Sequence, residues 1–191
     1  YGTNVPVWGV TSAPLVDGNR LITIVGGEPD ALVVAFDKQT GEELWRAVEV
    51  VQEMGYGQPV IYDAGGVRQL IIWHTGALVS LDPTTGDMFW EEPWEVRSGL
   101  SVATPVRSGN YLLVSQFYHG SLMMRLDTDR PDATMLWKGS SRSELPDETD
   151  GLHALITTPI ILDDYVYGVG SYGELRGLSA RTGERLWMSS D

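Results

Sequence analysis

Ala35-Phe36-Asp37-Lys38-Gln39-Thr40-Gly41-Glu42-Glu43-Leu44-Trp45 serves as the template of the chain, because its pattern returns three times further along. Leu81-Asp82-Pro83-Thr84-Thr85-Gly86-Asp87-Met88-Phe89-Trp90 follows it closely, and so does Leu178-Ser179-Ala180-Arg181-Thr182-Gly183-Glu184-Arg185-Leu186-Trp187. Between these lies a degraded copy, in which Arg130-Pro131-Asp132 replaces Thr-Gly ahead of Trp137. The tryptophans fall at 45, 90, 137 and 187, intervals of 45, 47 and 50, and a proline keeps step at Pro14, Pro59, Pro105 and Pro159. Two landmarks in phase over four units mark an internal repeat, and a period of about 45 residues is the length of one four-stranded propeller blade.

Each unit parses into four short strands. In the first, Pro14-Leu15-Val16 reads as an inner strand and Asp17-Gly18-Asn19 as a tight turn. Residues 21–25 and 31–36 form the second and third strands, and Thr40-Gly41 closes a hairpin into a fourth around Leu44-Trp45. A proline opening the inner strand costs no ladder bond. An unbroken apolar third strand suits a sheet buried on both faces. The other units repeat the plan, giving blades over about 8–48, 56–92, 101–139 and 153–190. Leu44, Ala47, Val48, Val51 and Met54 also fall at helical spacing. No other copy shows this after its tryptophan, so Trp45 stays in a strand, with at most one helical turn after Val48. Leu32, Val34 and Phe36 form an apolar row expected to lie bare on the outer face of the first blade.

The turn Asp-x-x-Thr-Gly with a tryptophan four residues after the glycine resembles the repeat of the pyrroloquinoline quinone (PQQ) type β-propellers. That family holds quinoprotein alcohol dehydrogenases, BamB-like outer-membrane assembly lipoproteins and many PQQ-like repeat proteins, and the resemblance covers essentially the whole chain. It implies an all-β fold, a β-propeller segment of four PQQ-like four-stranded antiparallel blades. Such repeats usually number seven or eight, so the chain reads as an excerpt of a larger propeller; a complete four-bladed ring is the alternative. In the family the tryptophan of the outermost strand packs on the glycine turn of a neighbouring blade. The resemblance therefore assigns Gly41, Trp45, Gly86, Trp90, Trp137, Gly183 and Trp187 to blade docking. It also implies a bacterial protein working in the periplasm or outside the cell.

Composition narrows the function. A formal net charge of -13 over 191 residues opposes nucleic acid and anionic membrane surfaces. The longest apolar runs are strand-length, so no transmembrane segment is expected. The absence of cysteine removes disulfides, thiolate zinc sites and cysteine nucleophiles. The acidic groups Asp127, Asp129, Asp132 and Asp147, Glu148, Asp150 lack calcium-loop spacing and read as solvated turns, so no metal site is assigned. Gly26-Gly27 and Gly65-Gly66 lack the strand, turn and helix of a phosphate loop. No Ser, His and Asp triad can be assembled, and no catalytic residue is assigned.

Propeller connectivity places the turns between second and third strands, and the connectors between blades, on one face. All three histidines fall there: His74 and His119 at equivalent places in adjacent blades, His153 before the fourth inner strand. With Tyr118, Arg142 and Tyr172, and Trp94 nearby, they form the candidate ligand face. The longest connector, from Lys138 to His153, is where specificity is expected.

PQQ-dependent members bind their cofactor on the corresponding face with an adjacent cysteine pair, a calcium held by Glu and Asn, and an aspartate base. The pair is absent here, and no position carries the rest. The expected function is a non-enzymatic binding or scaffold module for a protein or glycan ligand. The alternative is a fragment of a PQQ-dependent dehydrogenase of alcohols or sugars, for which alone PQQ and calcium would be cofactors. Bare outer faces of the first and fourth blades would allow two copies to pair as a homodimer.

Overall fold

Asp37 shows why the template turns where it does. Its Oδ1 accepts the backbone N–H groups of Thr40 at 2.9 Å and Gln39 at 2.8 Å, and its carbonyl accepts that of Gly41 at 2.8 Å. The Thr40 and Gln39 N–H groups favour the carboxylate and hold its pKa below the usual range. Asp82 accepts likewise from Thr84, and Asp127 from Asp129. Each intact turn ends in a left-handed glycine, with φ of 75° at Gly41, 82° at Gly86 and 75° at Gly183, where a Cβ would be strained.

The computed structural model describes residues 1–49 and 53–189. Among them the fold is all-β apart from two short 3-10 turns, Arg97–Gly99 and Pro146–Glu148. The first blade holds β1 (Leu15–Asp17), β2 (Arg20–Gly27), β3 (Ala31–Asp37) and β4 (Glu43–Ala47). The second holds β5 (Val60–Ala64), β6 (Val67–Trp73), β7 (Ala77–Leu81) and β8 (Met88–Pro93). The third holds β9 (Val106–Ser108), β10 (Tyr111–Gln116), β11 (Gly120–Leu126) and β12 (Ala133–Lys138). The fourth holds β13 (Ile160–Leu162), β14 (Tyr165–Val169), β15 (Leu175–Ser179) and β16 (Arg185–Met188). Every sheet is antiparallel with its strands in sequence order.

The cores lie between the blades. Ile22, Ile24 and Ala35 meet Leu70, Ile72 and Val79 across the first junction. Ile71 and Leu78 meet Leu112, Val114 and Leu122 across the second, and Leu113 and Met123 meet Ile161, Val166 and Leu178 across the third. The third strands β3 and β7 are therefore buried at successive apolar positions, their sheets being covered on both faces.

Each outer hairpin carries a β-bulge at one place. Trp45 pairs with Ala35 while Glu43 pairs with Phe36, leaving Leu44 as the extra residue. Phe89, Leu136 and Leu186 are the extra residues before Trp90, Trp137 and Trp187. A bulge bends its strand and re-aims the following side chain, here the indole. At two junctions that indole meets the next blade's glycine. A Cβ on Gly86 would stand 2.7 Å from the Trp45 ring, and one on Gly183 2.7 Å from that of Trp137. Trp137 also donates its Nε1–H to the Ala180 carbonyl at 2.9 Å.

The other assigned docking residues are placed differently. Trp90 faces the degraded turn and donates its indole N–H to Gln69 Oε1 at 2.8 Å, within its own blade. The lengthened turn packs instead on Gly65, where a Cβ would strike the Arg130 carbonyl. Gly41 has no atom near its would-be Cβ. Trp187 is 43% exposed and lies on Tyr167 and Gly177 of its own sheet. These glycines give a matched test. Ala at position 41 should cost only the left-handed strain, about 1 kcal/mol. Ala at position 86 must also displace the Trp45 indole and should cost about 2 kcal/mol more, measured by urea unfolding.

The expected apolar row on the first blade is corrected by the structure. Leu32 and Val34 are fully buried, and Phe36 partly so. The N-terminal segment lies along that face: the Tyr1 ring sits edge-on to Phe36, Tyr1 Cβ approaches Gly27, and Thr3 Oγ1 donates to the Val25 carbonyl. On the fourth blade Ile160, Leu162, Tyr165 and Leu175 do stay exposed. After β4, Val48 takes a left-handed φ of 70° and neither it nor Glu49 is helical; residues 50–52, part of the stretch in which at most one helical turn is allowed, lie outside the described residues.

Candidate functional site

The three histidines part company. His74 follows β6 beneath two connectors: Thr75 Oγ1 donates to the Glu53 carbonyl at 2.6 Å, and Trp94 and Val96 donate their N–H groups to Gly76 and Thr75 carbonyls. These contacts leave His74 2% exposed, and burial lowers its pKa to about 4. Trp94 is buried too, stacked on Trp73 at 6.2 Å. Both are expected on the ligand face; there His74 is roofed by connectors, and Trp94, part of that roof, is itself buried.

His119 and His153 come together. Each lines a groove of about 320 Å³ between the third blade's outer edge and the long connector. Equivalence in sequence therefore does not carry into space: the turn at His119 stays open where that at His74 is covered. His153 is 1% exposed, its Nδ1 lies 2.7 Å from the Phe117 carbonyl, and desolvation lowers its pKa. Tyr118 and Tyr172 flank Phe117 in an aromatic cluster with centroid distances of 4.8 and 6.2 Å, and the Arg97 guanidinium lies 4.5 Å over Tyr118. Tyr172 is 56% exposed. Arg142 is exposed on the long connector.

Arg176 and Arg185, two groups with no signal in the repeat pattern, fix that connector. Arg176 is fully buried and donates to the carbonyls of Pro146, Thr149 and Gly151, to Thr149 Oγ1, and to Glu174 in an ion pair of 3.3 Å. Arg185 donates to the Thr149 carbonyl at 2.7 Å and pairs with Asp150 at 3.4 Å. The long connector is thus stapled to the fourth blade.

Nearer the axis of the same face, Trp8, Tyr56, Leu100, Val102, Leu155 and Ile156 line an apolar groove of about 420 Å³. They come from successive connectors, and Trp8 and Ile156 are 60% and 77% exposed. Among the described residues, no three His, Asp or Glu side chains converge as metal ligands.

The chain matches the family described as outer membrane protein assembly factor BamB over residues 3–189. It is 25% identical over 170 residues to the outer membrane protein assembly factor BamB of Yersinia pestis, covering 84% of this chain and 39% of that protein. The structure of BamB from Moraxella catarrhalis superposes with a TM-score of 0.66 at 20% identity, over 95% of this chain and 48% of that one. Quinohemoprotein alcohol dehydrogenase from Comamonas testosteroni gives a TM-score of 0.54 at 15% identity, over 95% and 35% of the two chains. At such identities structural likeness shows the fold alone, and the chain spans less than half the length of these relatives. The match of one family over nearly every residue decides the assignment: the chain belongs to the family of the outer membrane protein assembly factor BamB.

Proposed function

We propose that this chain is a non-catalytic docking platform within an outer-membrane protein assembly factor, working outside the cytoplasm and holding a protein partner on its connector face. The observation that carries this is the axial groove, where connectors from successive blades present Trp8, Leu155 and Ile156 side by side on a rigid scaffold. Exposed apolar side chains gathered in this way mark interaction sites, and this groove has too few polar groups to orient a sugar. Among the described residues no helix is long and apolar enough to cross a membrane. The test is to replace Trp8 and Ile156 together by Asp in the full-length protein. β-Barrel proteins in the outer membrane of cells depending on it should then fall, with the circular dichroism spectrum unchanged. Unaltered barrel levels would defeat the proposal. So would turnover of alcohols or sugars, followed by dye reduction, when PQQ and calcium are added to the full-length protein.

A further inference from the structure

The geometry points to the groove between the third and fourth blades as a receptor for one arginine side chain of a partner protein, an inference that rests on the connector face holding a protein. The base of the groove is His153. A carbonyl can only accept, so the 2.7 Å contact with Phe117 places the proton on Nδ1 and leaves a lone pair on Nε2. That Nε2 makes no hydrogen bond among the described residues. It stands 3.3 Å from a would-be Cβ on Gly120 and 3.7 Å from one on Gly151, so two glycines keep it uncovered.

The groove around this acceptor holds further acceptors. Glu148 and Asp150 bring carboxylates to it. Asp150 is partly engaged by Arg185 at 3.4 Å, while Glu148 forms no ion pair among the described residues. Lys138 lines the same groove, but its ammonium is drawn to Glu92 at 3.4 Å. His119 stands beside His153, and the Trp137 indole, seated on Gly183, forms a wall. An uncovered lone pair at the base of the groove, a free carboxylate and an aromatic wall suit a planar guanidinium, whose forked donors and weak hydration separate it from an ammonium. The net charge of -13 draws such a partner in. Because Arg176 and Arg185 already fix the connector, little ordering remains to oppose binding.

The test needs no partner. Full-length protein labelled with 5-fluorotryptophan is titrated with N-acetyl-arginine amide and, separately, with the neutral isostere N-acetyl-citrulline amide; the Trp137 fluorine signal is assigned with Trp137→Phe. The signal should shift saturably with the arginine compound, and at least about tenfold more weakly with citrulline. Glu148→Gln should weaken binding several-fold, and Gly151→Ala, which sets a methyl over Nε2, should weaken it too. No shift at high millimolar ligand, equal response to citrulline, or a response to zinc alone would overturn the inference. The axial double variant should leave this titration unchanged, so failure here is distinct from failure of the platform proposal.

Discussion

Arg176→Ala should lower the unfolding free energy by about 3–5 kcal/mol, the range for removing one partner of a buried ion pair. The arginine is fully buried, and its pKa is lowered by desolvation, yet a guanidinium remains charged at any ordinary pH. Its removal strands Glu174, itself 8% exposed as a side chain, and leaves the Pro146 and Gly151 carbonyls without this donor. Among the described residues Arg185 is then the fourth blade's remaining hydrogen bond to Thr149. The connector should come away before the blade unfolds, so trypsin should cut at Arg142 in the variant under conditions where the parent survives. Arg176→Lys should fall between, because one ammonium cannot span acceptors that the fork reaches together. Combining Arg176→Met with Glu174→Gln should recover the part due to the stranded charge and leave the part due to the carbonyls. A loss below about 1 kcal/mol with unchanged trypsin resistance would show that the connector is held by something else.

This clamp also shows where sequence reading ends. The blade turn was legible because its bonds are local: Asp37 finds Gln39 and Thr40 two and three residues on, so its logic is written in adjacent letters and repeats with them. Arg176 binds backbone carbonyls 25 to 30 residues away, and a carbonyl has no letter. The bulges before the four tryptophans escaped for a related reason, since register belongs to a strand pair and the extra residue shows only when both strands are laid side by side. His74 and His119 looked alike because they occupy one place in the repeat; what separates them is the unrepeated connectors, which cover the first and leave the second open. The same holds for Phe36, on which Tyr1 of the unrepeated N-terminal segment packs edge-on. The repeat thus discloses the scaffold, and the surface that could bind a partner is set by the segments that do not repeat.

Stability should fall between about pH 6.5 and pH 4, and His74 is the main reason. In the fold its Nδ1 accepts the Gly76 N–H at 3.3 Å, so the proton sits on Nε2, which is buried without a hydrogen-bond partner. A second proton would have to enter at Nδ1, against that N–H and away from water. Burial accordingly holds the pKa at about 4. The sign follows from proton counting. Below its ordinary value near 6.5 the unfolded chain binds a proton that the folded chain refuses, so acid favours unfolding until the folded pKa is reached. The gap corresponds to about 3 kcal/mol, present in full above pH 6.5 and lost by pH 4. His153, lowered by its own burial, acts in the same direction. Asp37 and Asp127, whose pKa values are lowered by backbone N–H groups, contribute only below that window. His74→Asn keeps an acceptor for Gly76 and cannot charge, so its urea midpoint should vary far less between pH 7 and pH 4 than that of the parent. Parallel profiles for the two proteins would remove His74 from the account, and a steeper profile in the variant would reverse the assigned protonation.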